Sequence, residues 1–333
     1  MSAINREKLN FRYTERFRGR RVPVIIRLGH LGRAVISAPV ILKEWQSVLG
    51  KKRSSSKYAV KFLNDITNFS EGRALDLANN ATAILRRRET KIYDTSRGNS
   101  KNEDSDQCRS LVAQLRLYGR VRISQFITQE EAETLFSEIQ NFSGRCDISD
   151  RLYNSMGEWM IDDLAEPRFH TNQYDLLTHE KINRIAGSEV LLNVSRDYLG
   201  CAPILASVQS WTTRPITSGV TDPQVLDAAA MAYHCDSDYF GFLKVFILLT
   251  NVGPSNGPFT FVEKSHKAHR HVSGRMRDEE VVRPGDIEFF GEGVPGDVFI
   301  VDTRGWHKAG VPKNGIRTML QFVYSTSLFG RTS

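Results

Sequence analysis

Two stretches far apart in the chain carry the residue types of a mononuclear metal site. His234 and Asp236 are separated by one residue, and His307 follows much later. On a β-strand, residues two apart point to the same face, so both side chains would face one way and Cys235 the other. Two imidazoles and one carboxylate around a metal with open coordination positions form the ligand set of non-haem Fe(II) oxygenases. The sequence therefore predicts an iron site made of His234, Asp236 and His307.

The elements that would position these ligands are short strands. Apolar runs bounded by Gly, Pro and Asn occupy residues 204–211, 243–249, 259–262, 298–301 and 318–324. Strands of this length, separated by turn signals, are typical of a sandwich or barrel, and the jelly roll is one such closed double sheet. Gln209 and Trp211 share one face of the first run, where they either line a pocket or fill the core.

Helical patterns surround the strands. Residues 110–115, 176–185 and 188–199 are expected to be helical, with a strand at 119–123. Thr128 is a suitable N-cap, and Glu131 three residues later is its capping-box partner. We therefore expect a mainly β core with flanking helices.

Taken in order, these motifs resemble the phytanoyl-CoA dioxygenase family of Fe(II)/2-oxoglutarate oxygenases. The resemblance runs from about Gln107 to Tyr324. It rests on His234-Cys235-Asp236, NGPFTFVEKSHK at 256–267, PGDVFIVD at 295–302, Trp306-His307 and Arg317. It implies a double-stranded β-helix of the jelly-roll or cupin type that spans residues 106–333. The implied cofactors are Fe(II), 2-oxoglutarate as cosubstrate and O2.

The resemblance also assigns roles to residues. Arg317 matches the arginine that binds the far carboxylate of 2-oxoglutarate, a role that suits the planar fork of a guanidinium. Gln209 and Trp211 would then be cosubstrate contacts. Two positions depart from the family pattern: Ala309 stands where a small hydroxyl residue is frequent, and Lys264 stands where Gly is usual.

Other polar residues are weaker candidates. Asp238 shares the strand face of Asp236, but the family spacing favours Asp236 as the ligand. His266, His269 and His271 resemble a second metal cluster, although His266 belongs to the family's Ser-His segment. His170 is a lone histidine that is either structural or faces the substrate.

The function implied by the resemblance is a dioxygenase. It would hydroxylate an unactivated C–H bond of a small-molecule or carrier-linked substrate and release succinate and CO2. One alternative is a non-catalytic binding module that keeps the oxygenase fold. Another is a Zn(II) hydrolase, which has a similar ligand set but no use for Arg317.

Residues 1–105 differ from the rest and form a basic, mostly helical extension. The first 60 residues hold 14 Lys and Arg against three Asp and Glu, and the whole chain carries a formal charge of +7. Helices are expected at 40–49, 58–66 and 72–88, a β-like run at 22–26, and a polar linker at 95–106. The extension either docks on an anionic partner or membrane surface, or packs on the barrel and shapes the substrate entrance.

Composition excludes several classes of protein. At 333 residues, 40% hydrophobic and 25% charged, the chain is typical of a globular protein. No apolar run is long enough for a transmembrane helix, and no nucleic-acid-binding motif accompanies the basic residues. The four cysteines, Cys108, Cys146, Cys201 and Cys235, have no disulfide or zinc spacing. We therefore expect a cytoplasmic enzyme that acts on a small-molecule substrate, either anionic or carrier-linked.

Overall fold

The computed structural model of the chain describes residues 24–49, 57–87, 89–91, 102–146, 159–160, 168–215, 230–267 and 276–330. Its strands are β1 (Arg120–Ile123), β2 (Ser143–Cys146), β3 (Trp159–Met160), β4 (Arg168–Thr171), β5 (Ile204–Thr213), β6 (Phe242–Leu248), β7 (Thr260–Val262), β8 (Glu288–Phe290), β9 (Val298–Val301), β10 (His307–Lys308) and β11 (Arg317–Ser325). Its α-helices are α1 (Val24–Ser37), α2 (Pro39–Lys43), α3 (Trp45–Val48), α4 (Lys57–Ser70), α5 (Arg73–Leu85), α6 (Asn102–Tyr118), α7 (Gln129–Ile139), α8 (Gln173–Thr178), α9 (Glu180–Ala186), α10 (Glu189–Leu199) and α11 (Asp278–Val281).

The strands form two antiparallel sheets. The larger sheet has the order β1-β9-β6-β11-β5-β4-β2-β3, and the smaller has the order β10-β7-β8. Neighbours in each sheet are mostly distant in sequence, so the chain alternates between the sheets as a jelly roll does. The predicted mainly β core, a double-stranded β-helix with flanking helices, is confirmed.

The larger sheet is buried on both faces at its centre. Every residue of β6 is buried, as is every residue of β11. One face carries Val208, Val245, Ile247, Leu320 and Phe322, which pack against α6, α7, α9 and α10. The opposite face packs against Phe259 and Phe261 of the smaller sheet and its flank. A central strand covered on both sides has a nearly continuous apolar sequence, and residues 243–249 have this pattern apart from Lys244.

Helix α7 shows how sequence signals set the flanking helices. Thr128 is its N-cap, and the Thr128 Oγ1 accepts a hydrogen bond from the Glu131 backbone N–H at 3.1 Å. Ala132, Leu135 and Ile139 follow at helical spacing and are buried. The predicted N-cap is confirmed, and α7 turns its apolar face to the larger sheet.

Helices α1–α5 pack against one end of the barrel. Phe62, Leu63 and Leu75 form a cluster with Phe240, which precedes β6, and Phe329, which follows β11. A division of the chain into domains at residues 105 and 106 stays a prediction.

Three local expectations in the N-terminal half are wrong. Residues 24–26 of the β-like run begin α1, because the helical periodicity that continues to Ser37 outweighs three β-branched residues. The helix expected at 72–88 has an apolar stripe at helical spacing that should be buried, formed by Leu75, Leu77, Ala81, Ile84 and Leu85. Only Leu75 of this stripe is buried, while Leu77 and Ile84 are exposed. Residues 102–106 of the linker belong to α6, and linker residues 95–101 lie outside the described residues.

No helix in the described part of the chain is both long and apolar enough to cross a membrane. Cys108, Cys201 and Cys235 are buried thiols that form no disulfide with one another. A cytoplasmic location stays a prediction.

Candidate metal centre

The three predicted ligands lie together between the two sheets. One ligand atom from each of His234, Asp236 and His307 lies within 4.8 Å of the others. The Nε2 of His307 is 3.2 Å from Asp236 Oδ2, and the Nε2 of His234 is 3.8 Å from Asp236 Oδ1. Among the described residues, no other three His, Cys, Asp or Glu side chains come together in this way. The arrangement can hold a divalent metal ion on one side and leave the other side open.

Backbone pairing brings the ligands together from distant parts of the chain. His234 and His307 form an isolated antiparallel bridge, with N···O distances of 2.9 and 3.0 Å. The Asp236 backbone N–H donates to the Thr303 carbonyl at 2.9 Å. Tyr233 and His234 both form isolated bridges, Tyr233 with Met276, but Asp236 does not. Asp236 is therefore positioned by the loop at Thr303 rather than by a regular strand.

Both histidines have a fixed orientation. The Nδ1 atom of His234 lies 3.0 Å from the Ala232 carbonyl, and Nδ1 of His307 lies 2.9 Å from the Gly305 carbonyl. A carbonyl oxygen only accepts, so each Nδ1 carries a proton, and Nε2 is the ring nitrogen left to bind a metal. The two Nε2 atoms are therefore prepared to coordinate a metal.

Asp236 is held by a buried lysine. The Lys244 ammonium lies 2.7 Å from Asp236 Oδ2 and 2.9 Å from Asp238 Oδ2. Burial would raise the pKa of Asp236, but Lys244, His307 and His234 together keep that pKa well below its usual range. Asp236 is thus an ionised carboxylate, and Asp238 lies on the far side of the lysine, outside the ligand group.

Arg317 is fully buried, and the hydrogen-bond donors of its guanidinium group have few close acceptors. Its side-chain contacts are long: Nη1 donates to the Gly310 carbonyl at 3.4 Å, and Nη2 to Thr213 Oγ1 at 3.5 Å. Within the described residues its Nε has no hydrogen-bond partner and its guanidinium has no carboxylate partner. Burial, with a smaller contribution from Arg168, lowers the pKa of Arg317 to about 9. A buried cation in this state is a site prepared for an anion.

The other predicted cosubstrate contacts lie on the same face of the larger sheet as Arg317. Residues paired across β11 and β5 on this face are Arg317–Thr213, Met319–Trp211 and Gln321–Gln209. Trp211 packs edge-on against Phe246, with ring centroids 6.2 Å apart. Gln209 lies farther along and accepts a hydrogen bond from Gln321 Nε2 at 3.1 Å. Trp211 is therefore a near neighbour of Arg317, and the binding roles of both residues stay predictions.

Two residues of the site were missed by sequence reasoning. Lys244 interrupts the apolar run of β6, and a lone lysine inside a buried strand was the available signal. Arg168 lies over the Trp211 ring, 4.9 Å from its centroid, and pairs across strands with Thr213. Nothing in the sequence around Arg168 marks it.

The weaker candidates are placed as follows. His170 pairs with Trp211 across β4 and β5 and lies on the same face, with ring centroids 6.1 Å apart. His266 is buried and its Nε2 lies 3.2 Å from the Arg116 carbonyl, away from the ligand group. Ala309 has only a methyl side chain beside Gly310. His269 and His271 lie outside the described residues.

Residues 115–317, more than half of the chain, match the family described as Phytanoyl-CoA dioxygenase (PhyH). No curated protein matches significantly. Among solved structures, the non-heme alpha ketoglutarate dependent epimerase SnoN from nogalamycin biosynthesis is 17% identical, covers 66% of this chain and 84% of its own, and has a TM-score of 0.49. HygX from Streptomyces hygroscopicus with nickel, 2-oxoglutarate and hygromycin B bound is 16% identical, covers 65% and 86%, and has a TM-score of 0.46. The family match is the stronger of these findings.

Proposed function

The chain belongs to the phytanoyl-CoA dioxygenase family of Fe(II)/2-oxoglutarate oxygenases, and we propose that it hydroxylates an unactivated C–H bond of a small-molecule or carrier-linked substrate. The reaction would consume 2-oxoglutarate and O2 and release succinate and CO2. The observation that carries the proposal is the presence of both a His-Asp-His group and, on the larger sheet, a buried arginine with an unsatisfied Nε.

We propose that His234, Asp236 and His307 hold Fe(II). Their fit to the metal is supported by two Nε2 atoms that converge with one ionised carboxylate. The bound metal supplies the activation of O2 that couples decarboxylation of 2-oxoglutarate to substrate oxidation. Lys244 keeps the Asp236 carboxylate ionised and in place.

Arg317 would bind the far carboxylate of 2-oxoglutarate. Its unpaired Nε and its long contacts leave donors available, and a carboxylate can take two of them side by side. The Thr213 hydroxyl next to Arg317 Nη2 is suited to the role of the hydroxyl that the family pattern has near position 309. Trp211 would form the wall beside the cosubstrate and exclude water.

The chemistry of the pocket wall supports an anionic substrate. Arg168 lies on the same face as Arg317, close enough to lower the Arg317 pKa. The positive potential of two neighbouring guanidinium groups would favour an anionic or carrier-linked substrate over a cationic one.

The test measures 2-oxoglutarate consumption and succinate release with added Fe(II) and ascorbate, first without any substrate. The wild-type chain is expected to turn over slowly in air and not at all without O2. His234→Ala should abolish this turnover, because one of three ligands is lost. Equal rates in wild type and His234→Ala would refute the assignment as an enzyme. Hydrolytic activity without O2, with no succinate formed, would favour a hydrolase. Binding of 2-oxoglutarate with no turnover would favour the non-catalytic module.

A further inference from the structure

Helices α4 and α5 lie outside the residues that match the family, yet they contact both loops that carry candidate ligands. Asn64 of α4 accepts a hydrogen bond, through Oδ1, from the Ser237 hydroxyl. Asp76 of α5 accepts one, through Oδ1, from Arg304 Nη1 at 2.9 Å. Ser237 directly follows one ligand, and Arg304 lies three residues before another.

Arg304 anchors its loop through a buried network. Its Nε donates to Asp302 Oδ1 at 2.8 Å and its Nη2 to Asp302 Oδ2 at 2.5 Å. The Tyr198 hydroxyl donates to Asp302 Oδ2 at 2.7 Å. Asp302 is fully buried and the Arg304 side chain is 11% exposed, so the pair is shielded from solvent. Asp76 is the partner that ties this network to the N-terminal helices.

The anchored loop in turn sets the spacing of the ligands. Thr303, between the network residues, holds the Asp236 backbone through its carbonyl, and His307 at the end of the loop pairs with His234. A shift of this loop therefore moves all three ligands relative to one another. Ser237, buried beside Asp236, fixes the opposite loop from the side of α4.

Helices α4 and α5 are fixed to the barrel by a buried hydrophobic cluster. Phe329 stacks on Phe240 with centroids 5.3 Å apart, and Phe62 of α4 contacts Phe329 edge-on at 6.2 Å. Leu63 and Leu75 of the two helices are almost fully buried in the same cluster. Burial of these apolar side chains stabilises the contact between the helices and the barrel, so the polar contacts of Asn64 and Asp76 start from well-packed helices.

We propose that Asn64 and Asp76 are positioning residues for the metal centre. They hold the two ligand-bearing loops at the spacing that a divalent metal requires. The N-terminal helices are thus a structural part of the metal site. The inference rests on the proposed function, because it concerns the same metal.

Metal binding to the metal-free full-length chain tests the inference without any need for turnover. Calorimetric titration with Mn(II) alone gives the Kd, and thermal unfolding of the same samples gives the Tm. Asp76→Asn and Asn64→Ala should each raise the Mn(II) Kd by about 10-fold, at the lower end of what partners of metal ligands contribute. Asp76→Glu, which restores the charge, should recover most of the affinity.

Glu89→Gln is the matched control. It removes an ion pair between a half-exposed acid of the N-terminal region and the buried Arg86, but touches neither ligand loop. It should keep the wild-type Kd even where its Tm falls as far as that of Asp76→Asn.

If all variants keep the wild-type Kd, the contacts only stabilise the fold and the inference is overturned, while the proposed function stands. If the wild type binds Mn(II) but never releases succinate, the proposed function fails and the titration still decides the inference. Absence of Mn(II) binding by the wild type overturns both.

Discussion

At the scale of single residues, Arg317 combines properties that oppose each other in a folded chain. It is charged, 1% exposed, and lacks a partner for Nε among the described residues. A buried donor without a partner costs about 1–3 kcal/mol, and burial also disfavours the charge itself. The lowered pKa of about 9 expresses the same penalty. Arg317 should therefore destabilise the ligand-free protein and bind an anion strongly.

Replacement of Arg317 by methionine separates these effects. Arg317→Met should raise the stability of the ligand-free protein by about 1–3 kcal/mol, because an apolar side chain fills the site without a charge. The same variant should lose the increase in Tm that 2-oxoglutarate gives the wild type with Mn(II) bound. Thermal unfolding with and without 2-oxoglutarate measures both.

Arg304→Met is the control for this prediction. Arg304 is also buried, but it is paired with Asp302. Loss of that pairing leaves a buried carboxylate alone and should destabilise the protein by about 3–5 kcal/mol. A lower Tm for Arg317→Met, with the response to 2-oxoglutarate retained, would contradict the role assigned to Arg317.

At the scale of elements, the segments after His307 and before β7 cross with almost no space between their backbones. The Gly310 N–H donates to the Pro258 carbonyl at 3.1 Å. A Cβ at Gly310 would lie 2.5 Å from the Pro258 oxygen and 2.6 Å from the Gly257 carbonyl carbon. The Gly310 carbonyl also accepts from Arg317 Nη1. This crossing therefore links the loop of one metal ligand to the cosubstrate arginine.

Gly310→Ala should force the two segments apart. We expect a loss of about 1–3 kcal/mol of stability and a higher KM for 2-oxoglutarate, because the backbone rather than a flexible side chain must move. Gly253→Ala is the control, since a Cβ there meets its nearest atom, Asn256 Oδ1, at 3.6 Å. Tm and the 2-oxoglutarate KM should change in the first variant and stay near wild type in the second. An unchanged 2-oxoglutarate KM in Gly310→Ala would show that the crossing at Gly310 does not affect the cosubstrate site.

Elements with a strong apolar pattern could be predicted from the sequence. The run at 298–301 is β9, and the run at 318–324 lies within β11 (Arg317–Ser325). These strands are buried on both sides, so their sequences are mostly apolar. The His-Asp-His group was also predictable, because its ligand types and order are specific.

What the sequence did not reveal depends on contacts between distant segments. Lys244 acts on Asp236 only because β6 brings it beside the loop that follows His234. Arg168 reaches Trp211 only through the pairing of β4 with β5. The exposure of Leu77 and Ile84 depends on which face of α5 meets the barrel, and periodicity alone does not decide that.

At the scale of the whole molecule, the N-terminal helices and the barrel share both core and polar contacts. Buried Arg86 donates through Nη1 to the carbonyls of Ala202 at 2.9 Å and Thr326 at 3.0 Å. The Leu328 N–H donates to the Ser47 carbonyl at 2.9 Å. These bonds and the Phe240–Phe329 cluster favour a packed extension over a segment free to dock elsewhere.

Deletion of residues 1–101 tests this view. The shortened chain would expose Phe240 and Phe329, whose burial contributes about 1.5–3 kcal/mol each, and would leave the Ala202 and Thr326 carbonyls without their arginine. We expect a chain that aggregates or unfolds at a much lower temperature, with loss of uncoupled 2-oxoglutarate turnover.

Deletion of residues 1–23 alone, which keeps α1–α5, is the reference for the effect of removing basic residues. Solubility, Tm and succinate release are measured for both. A soluble 102–333 chain with the Tm and turnover of the full chain would show that the helices serve a separate docking role, because neither the fold nor the metal centre would then depend on them.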